Sequence, residues 1–262
     1  MFPRLFQIGS VSVPSYGLLV AIAFLTALWL AAKFAKARGL DSEKIVNLGV
    51  YCALTGMLGA KLLMIVLDPE FRAHPGEIFT LATLQSAGIF FGGLIVALAF
   101  ALLYMKKQGL PLLATCDIFA PGLALGHGIG RLGCFAAGCC WGKPTHLPWA
   151  VTFTNQNATT GVPLGIPLHP TQLYEAVAEG IICLILIMRL KRSHTDGSIL
   201  GLYLVLYGIT RVAVEFLRVH DASNPLGGPL TLEQWIALLL AIGGLFLLLR
   251  KAPSTLPEPS AI

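Results

Sequence analysis

Apolar runs of about 20 residues recur along the whole chain, separated by short polar or charged connections. Each is long enough to cross roughly 30 Å of hydrocarbon as a helix. Seven spans are predicted, near 14–36, 45–67, 86–105, 112–134, 171–190, 198–218 and 230–250. The pattern therefore predicts an all-α, polytopic membrane protein, with one transmembrane helical domain over 1–252. A proline-rich tail over 253–262 reads as disordered. Asp41-Ser42-Glu43 is suited to cap the second span, and Asp196-Gly197-Ser198 separates the fifth from the sixth. The first run, from about Val13, has no small-residue cleavage site after it. It reads as a retained span and not as a cleaved signal peptide.

One connection is long. Residues 135–170 hold Pro144, Pro148, Gly161, Pro163, Gly165, Pro167 and Pro170, and Trp149–Thr154 alternates like a short strand. A loop of this length in a small protein is more often functional than incidental. Asn157-Ala158-Thr159 matches a glycosylation acceptor and reads as a chance match.

Composition sharpens this picture. The chain is 56% hydrophobic and 12% charged, against about 25% charged in soluble domains. Its net charge of +5 reflects topology and gives no reason to expect nucleic acid. Eleven lysines and arginines flank the connections after spans one, three, five and seven, and four lie on the other side (Arg4, Arg72, Lys143 and Arg218). The positive-inside rule then places the C-terminus in the cytoplasm, and the N-terminus and the 135–170 loop in the periplasm.

Several charges interrupt the spans themselves: Lys61, Arg131, Glu175, Glu179, Arg211 and Glu215. Each costs at least about 2.5–3.5 kcal/mol to insert, so such residues are rarely idle. In span six, Tyr207, Arg211, Glu215 and Arg218 fall within about 80° on a helical wheel. A structural Arg–Glu pair explains part of that stripe, but not Tyr207 or Arg218. Span five opens with His169, Gln172 and Glu175, followed by Glu179, within an arc of about 120°. Pro170 fits its first turn, where no N–H is needed. At the end of span four, His127 and Arg131 share a face among glycines that permit close approach. An arginine fork suits a phosphate better than a lysine does.

Three readings are open for Cys134, Cys139 and Cys140. Small packing residues rank first and a disulfide on an oxidising outer face second. A metal site with His127 ranks last, since the C-x4-C-C spacing is a poor zinc pattern. No metal and no cofactor are expected. Tyr16 opens span one at the outer interface, where tyrosine is commonly an anchor.

Five segments together resemble the bacterial prolipoprotein diacylglyceryl transferase family, in its order and over nearly the whole chain. They are Val13-Pro14-Ser15-Tyr16-Gly17, Gly88–Leu94, Gly130-Arg131-Leu132-Gly133-Cys134-Phe135, His169–Glu175, and Tyr207 through Arg211 to Glu215. The resemblance implies a multi-pass protein of the bacterial inner membrane. Its implied reaction moves diacylglycerol from phosphatidylglycerol onto the lipobox cysteine of prolipoprotein signal peptides, releasing glycerol phosphate. The expected catalytic residues are Arg131, Arg211, His127 and Tyr207. Tyr16, His169, Gln172, Glu175, Glu215, Cys134 and Cys139 would join Arg131 and Arg211 around the substrates. The chain departs from the family at Phe91, where many members carry histidine, and at Cys134 and Cys139, where the signature has asparagine and glutamate. His127 is then the expected proton acceptor, and Glu175 and Glu215 are expected to hold arginines in place. Two alternatives stand beside this reading. One is a paralogue using another acceptor; the other is a binding or transport protein for anionic lipids. Transport would favour pseudo-symmetric halves, which the sequence does not show.

Overall fold

The computed structural model describes residues 4–8, 11–80, 83, 88–155, 160–219, 224–225 and 228–250, with backbone alone for 5–8, 11–13, 72 and 79. The 253–262 tail and the Asn157-Ala158-Thr159 motif lie outside the described residues. Two short strands, β1 (Arg4–Ile8) and β2 (Val11–Pro14), pair antiparallel. Helices follow as α1 (Ser15–Ala37), α2 (Ser42–Leu67), the short α3 (Pro69–Ala73), α4 (Phe90–Gln108) and α5 (Leu112–Ala137). After the long loop come α6 (Thr171–Leu190), α7 (Ser198–Glu215) and α8 (Leu232–Leu249). Within the loop, β3 (Val151–Thr152) pairs with β4 (Pro167–Leu168), so the alternation at Trp149–Thr154 does yield a strand, though of two residues.

All seven predicted spans fall on helices. Six of them, every one but α6, are long and apolar enough to cross a membrane. The fold is thus a polytopic helical membrane protein. Its outer surface agrees, since Leu25, Trp29, Met57, Leu98, Leu103, Leu239 and Phe246 are all exposed. An apolar surface of that extent is unstable in water and stable in lipid. Val177, Ile181, Leu184 and Met188 of α6 also form one exposed apolar face, with Arg189 exposed in the last turn, while Gln172, Glu175 and Glu179 are buried on the other side.

Local chemistry sets the helix ends. Asp41 accepts hydrogen bonds from the N–H groups of Glu43 (2.9 Å) and Lys44 (3.3 Å), capping α2 as its sequence suggests. Gly109 closes α4 in the left-handed region at φ 67°. The predicted end of span six needs correction, because α7 stops at Glu215 and Arg218 is not on the helix. The chain tightens there into i→i−3 bonds, Leu217 N to Val214 O and Arg218 N to Glu215 O. Lys143 N then donates to the Leu217 carbonyl at 2.8 Å, and Gly142 bridges to Arg218.

Close helix packing depends on missing side chains. A Cβ on Gly59 would stand 2.6 Å from the Gly92 carbonyl oxygen, and one on Gly244 would stand 2.6 Å from that of Gly201. These contacts bring α2 against α4 and α7 against α8; α1 lies along α5, and α5 along α6. The apolar core (Leu30, Phe34, Ile45, Ile118, Leu186, Leu190, Ile199) gathers at the end of the bundle that carries the α1–α2, α4–α5 and α6–α7 connections. Arg131 of α5, Glu175 and Glu179 of α6, and Arg211 and Glu215 of α7 gather at the opposite end.

Several polar groups are buried at the core end, among them Arg38, Asp117, His194 and Asp196. Asp117, 1% exposed, accepts from Gly197 N and Leu200 N at 2.7 Å each and so caps α7 from α5. Asp117→Ala is expected to lower stability by about 1–3 kcal/mol, because two buried donors lose their acceptor. Thermal unfolding of the protein in detergent measures this; an unchanged midpoint would show the cap to be dispensable.

Candidate active site

The outer face of α6 is apolar, so its polar residues can only turn inward. Glu175 then meets the last turns of α5 and α7. Its carboxylate lies 2.5 Å from Arg131 Nε, 3.2 Å from Arg211 Nη1 and 3.8 Å from Arg218 Nη1. Glu215 takes the other side of Arg211 at 2.8 Å and approaches Arg218 at 4.0 Å. Three guanidinium groups from two chain segments therefore converge on one buried carboxylate, and a second carboxylate braces two of them.

His127 completes the group. Its Nδ1 lies 2.9 Å from Glu179 Oε1, and Arg131 Nε donates to its Nε2 at 3.1 Å. An arginine can only donate, so Nε2 is the acceptor and Nδ1 carries the proton toward Glu179. The Tyr207 ring stands 5.6 Å from the imidazole, with Tyr203 behind it at 5.9 Å. Arg131, Arg211 and Arg218 balance Glu175, Glu179 and Glu215 in charge, which makes burial of all six tolerable.

The loop after α5 forms a roof fixed to the start of α6. Gln172 Nε2 donates to the Cys139 carbonyl at 2.6 Å, and Thr171 Oγ1 donates to that of Cys140 at 2.8 Å. Gly142 N donates to His169 O at 3.0 Å, and a Cβ on Gly142 would stand 2.7 Å from the Leu217 carbonyl oxygen, so only glycine fits. Trp149 Nε1 donates to the Tyr174 hydroxyl at 2.8 Å, and His169 Nδ1 lies 3.2 Å from the same oxygen. Phe153, Val162 and Leu168 give the roof its own small core against Phe135 and Trp141. Lys143 reaches the Phe216 carbonyl at 2.9 Å. It lines a polar cavity of about 380 Å³ with Glu215, Arg218, Asn224, Thr231 and Gln234.

The structure thus gathers Arg131, Arg211, His127, Tyr207, Glu175 and Glu215 into one cluster. Gln172 and His169 serve the roof and do not reach the arginines among their described contacts. Tyr16, 46% exposed, packs across Gly133 at the end of α5. Cys134, Cys139 and Cys140 are free thiols grouped one turn past Arg131. Hydrogen bonds from Cys134 and Cys139, with Arg218 and Arg131 nearby, pull the Cys140 thiol below its usual range despite burial. Phe91 stands exposed against Phe90 on the first turn of α4. Sequence reasoning left Arg218, Glu179, Lys143 and Tyr174 out of the site. The polar stripe had already flagged Arg218 and Glu179. Lys143 and Tyr174 carry no local signal, because only the folded loop brings them in.

The prolipoprotein diacylglyceryl transferase family matches residues 3–250. Among similar proteins, a phosphatidylglycerol–prolipoprotein diacylglyceryl transferase of Clostridium tetani is 36% identical over 246 residues, 94% of this chain and 96% of the relative. One from Vibrio vulnificus is 36% identical over 251 residues, 94% of this chain and 90% of its own. One from Bordetella avium is 32% identical over 266 residues, covering 98% and 97%. The chain belongs to the prolipoprotein diacylglyceryl transferase family.

Removing the shared counter-charge exposes the dependence of the cluster on it. Glu175→Ala leaves buried guanidinium groups without their common partner and is expected to cost about 3–5 kcal/mol of stability. Glu175→Gln, which keeps the shape, should cost less. A thermal midpoint in Glu175→Ala equal to that of the parent protein would show that the arginines do not depend on this carboxylate.

Proposed function

We propose that the chain transfers the diacylglyceryl group of phosphatidylglycerol to the lipobox cysteine of prolipoproteins, the first step of lipoprotein maturation. The observation that carries this reading is the convergence of Arg131, Arg211 and Arg218 on Glu175 at one end of the bundle. The thiolate attacks the glyceryl carbon next to the phosphate ester oxygen. A C–S bond forms, the C–O bond breaks, and the bonding pair leaves with glycerol phosphate. The phosphate gains one negative charge in that step. Arginines held in advance stabilise the gain without reorganising. The polar cavity lined by Lys143 and Arg218 has the size and donors to take the glycerol phosphate headgroup.

In this reading α6 is the seventh span. Its exposed face is apolar, and its charges are neutralised inside the bundle. With seven spans the N-terminus and the loop face the periplasm and the C-terminus the cytoplasm, in the inner membrane, as the charge bias requires. Residues up to 252 form one domain. The signal peptide of the prolipoprotein and the lipid both enter sideways from the membrane. Glu175 and Glu215 position the arginines. Their oxygens are already engaged by the guanidinium groups, which suits them to positioning. His127 is the better acceptor once Arg131 turns toward a phosphate and releases Nε2.

Purified protein given phosphatidylglycerol and a lipobox peptide should yield the thioether-linked peptide and glycerol phosphate. No product from this pair would overturn the assignment; lipid binding without transfer would favour a binding protein. Arg131→Lys or Arg211→Lys should lower kcat/KM by about 10- to 100-fold, since a lysine loses the forked, charge-assisted contact worth about 1.5–3 kcal/mol.

His127→Ala should abolish transfer while binding of phosphatidylglycerol vesicles persists. Normal turnover in His127→Ala would remove this residue from the proton path and leave thiol activation to the arginine field.

A further inference from the structure

The proposed transfer gives no chemical step to Cys134, Cys139 or Cys140, and their three sulfurs lie within 4.8 Å of one another. Backbone geometry puts them there. Gly138, at φ 77°, closes α5: Gly138 N donates to Cys134 O at 2.9 Å and Phe135 O at 3.2 Å, and Cys139 N to Cys134 O at 3.0 Å. In this helix-end motif the residue after the glycine folds back over the one five positions earlier, usually as an apolar contact. Here both positions are cysteine. Cys140 then adopts φ 60°, uncommon for a residue other than glycine, and the third sulfur joins the pair. Gln172 and Thr171 hold the carbonyls of Cys139 and Cys140, so the turn is fixed from α6.

We propose that Cys134, Cys139 and Cys140 bind one thiophilic closed-shell cation, Zn²⁺ or Cu⁺, through their three sulfurs. Zinc–sulfur bonds of about 2.3 Å place tetrahedral ligands about 3.8 Å apart. Sulfurs already within 4.8 Å reach that spacing by small side-chain rotations. Thiolate sets select these ions over magnesium or calcium, which take oxygen. Three sulfurs leave a fourth position for an outside ligand. That position is reached from a cavity of about 620 Å³ lined by Cys139, Cys140, Trp141 and Arg218. Arg218 there offsets part of the thiolate charge.

Reduced, desalted protein in detergent is titrated with Cd²⁺ as an optical substitute for Zn²⁺, and then with Zn²⁺ and Cu⁺ in competition. One equivalent should produce a saturating sulfur-to-cadmium charge-transfer band and mask three thiols from a disulfide reagent. Zn²⁺ or Cu⁺ should displace the band. Cys139→Ala, in the loop, should abolish it, as should Cys134→Ala, and Cys52→Ala should leave it intact. No saturable band in the parent protein overturns the proposal whether or not Cys134→Ala folds. A band that persists in Cys139→Ala does so as well. A protein that closes a disulfide among these cysteines and binds no ion assigns the cluster to redox chemistry instead.

Discussion

A carboxylate buried in a membrane bundle survives ionised only with opposite charge around it, and Glu175 has three guanidinium groups within 3.8 Å. The dependence runs both ways. Arg131, Arg211 and Arg218 come from the second-last turn of α5 and from the end of α7 and just beyond it. Without a shared anion they would repel one another and draw in water. Glu175 therefore decides where α6 sits between its neighbours as well as how the arginines point. The balance of three arginines against three glutamates also bears on the proposed chemistry. A phosphodiester with one charge meets guanidinium groups that are already partly satisfied. A departing phosphate with more charge competes better for them. That difference between ground state and transition state is what lowers a barrier.

This arrangement also explains the division of the bundle. Apolar packing is concentrated at one end, around Phe34, Ile118 and Leu186, where Asp117 secures the start of α7. The other end gives up apolar core for ion pairs and needs a cover. The 135–170 loop supplies it, anchored by Gln172, Thr171, Gly142 and Lys143 to α6 and to the end of α7. The loop is thus part of the site and not a spacer between spans. A change in the roof at Gly142 would be felt at Arg218, because the two residues form a β-bridge.

Most of the architecture was legible in the sequence because bilayer thickness fixes a length and hydropathy reports it. All seven predicted spans are helices, and the Asp41 cap and the glutamate–arginine pairing follow the patterns of charge and spacing. The failures are local. Phe216 and Leu217 are apolar, so hydropathy carries α7 on to 218, whereas pairing with the loop stops it at Glu215. His169 shares a wheel arc with Glu175, but it lies ahead of the helix, where Tyr174 takes its ring. The strand pair β1–β2 has no counterpart in the sequence reading. For the cysteines, linear spacing does not reveal that the turn at Gly138 brings the three sulfurs within 4.8 Å of one another. A left-handed glycine turn makes sequence neighbours and spatial neighbours different things, and spacing rules assume neither such a turn nor a strained Cys140.

The proton of the acceptor thiol poses the sharpest question for this member of the family, since Phe91 cannot accept it and stands exposed on α4. The geometry around His127 limits the answers. Its lone pair at Nε2 already receives Arg131 Nε–H, and the same N–H points at Glu175. In this state the imidazole is not free to act. A bound phosphate would compete for Arg131, and each step of Arg131 toward the phosphate weakens its hold on Nε2. Lipid binding would then expose the base, and Glu179 on the far nitrogen would stabilise the imidazolium that results. Substrate order follows from this coupling. On the role proposed for His127, the lipid binds before the thiol is activated, so a thiolate would not form at a site with no diacylglyceryl group to receive.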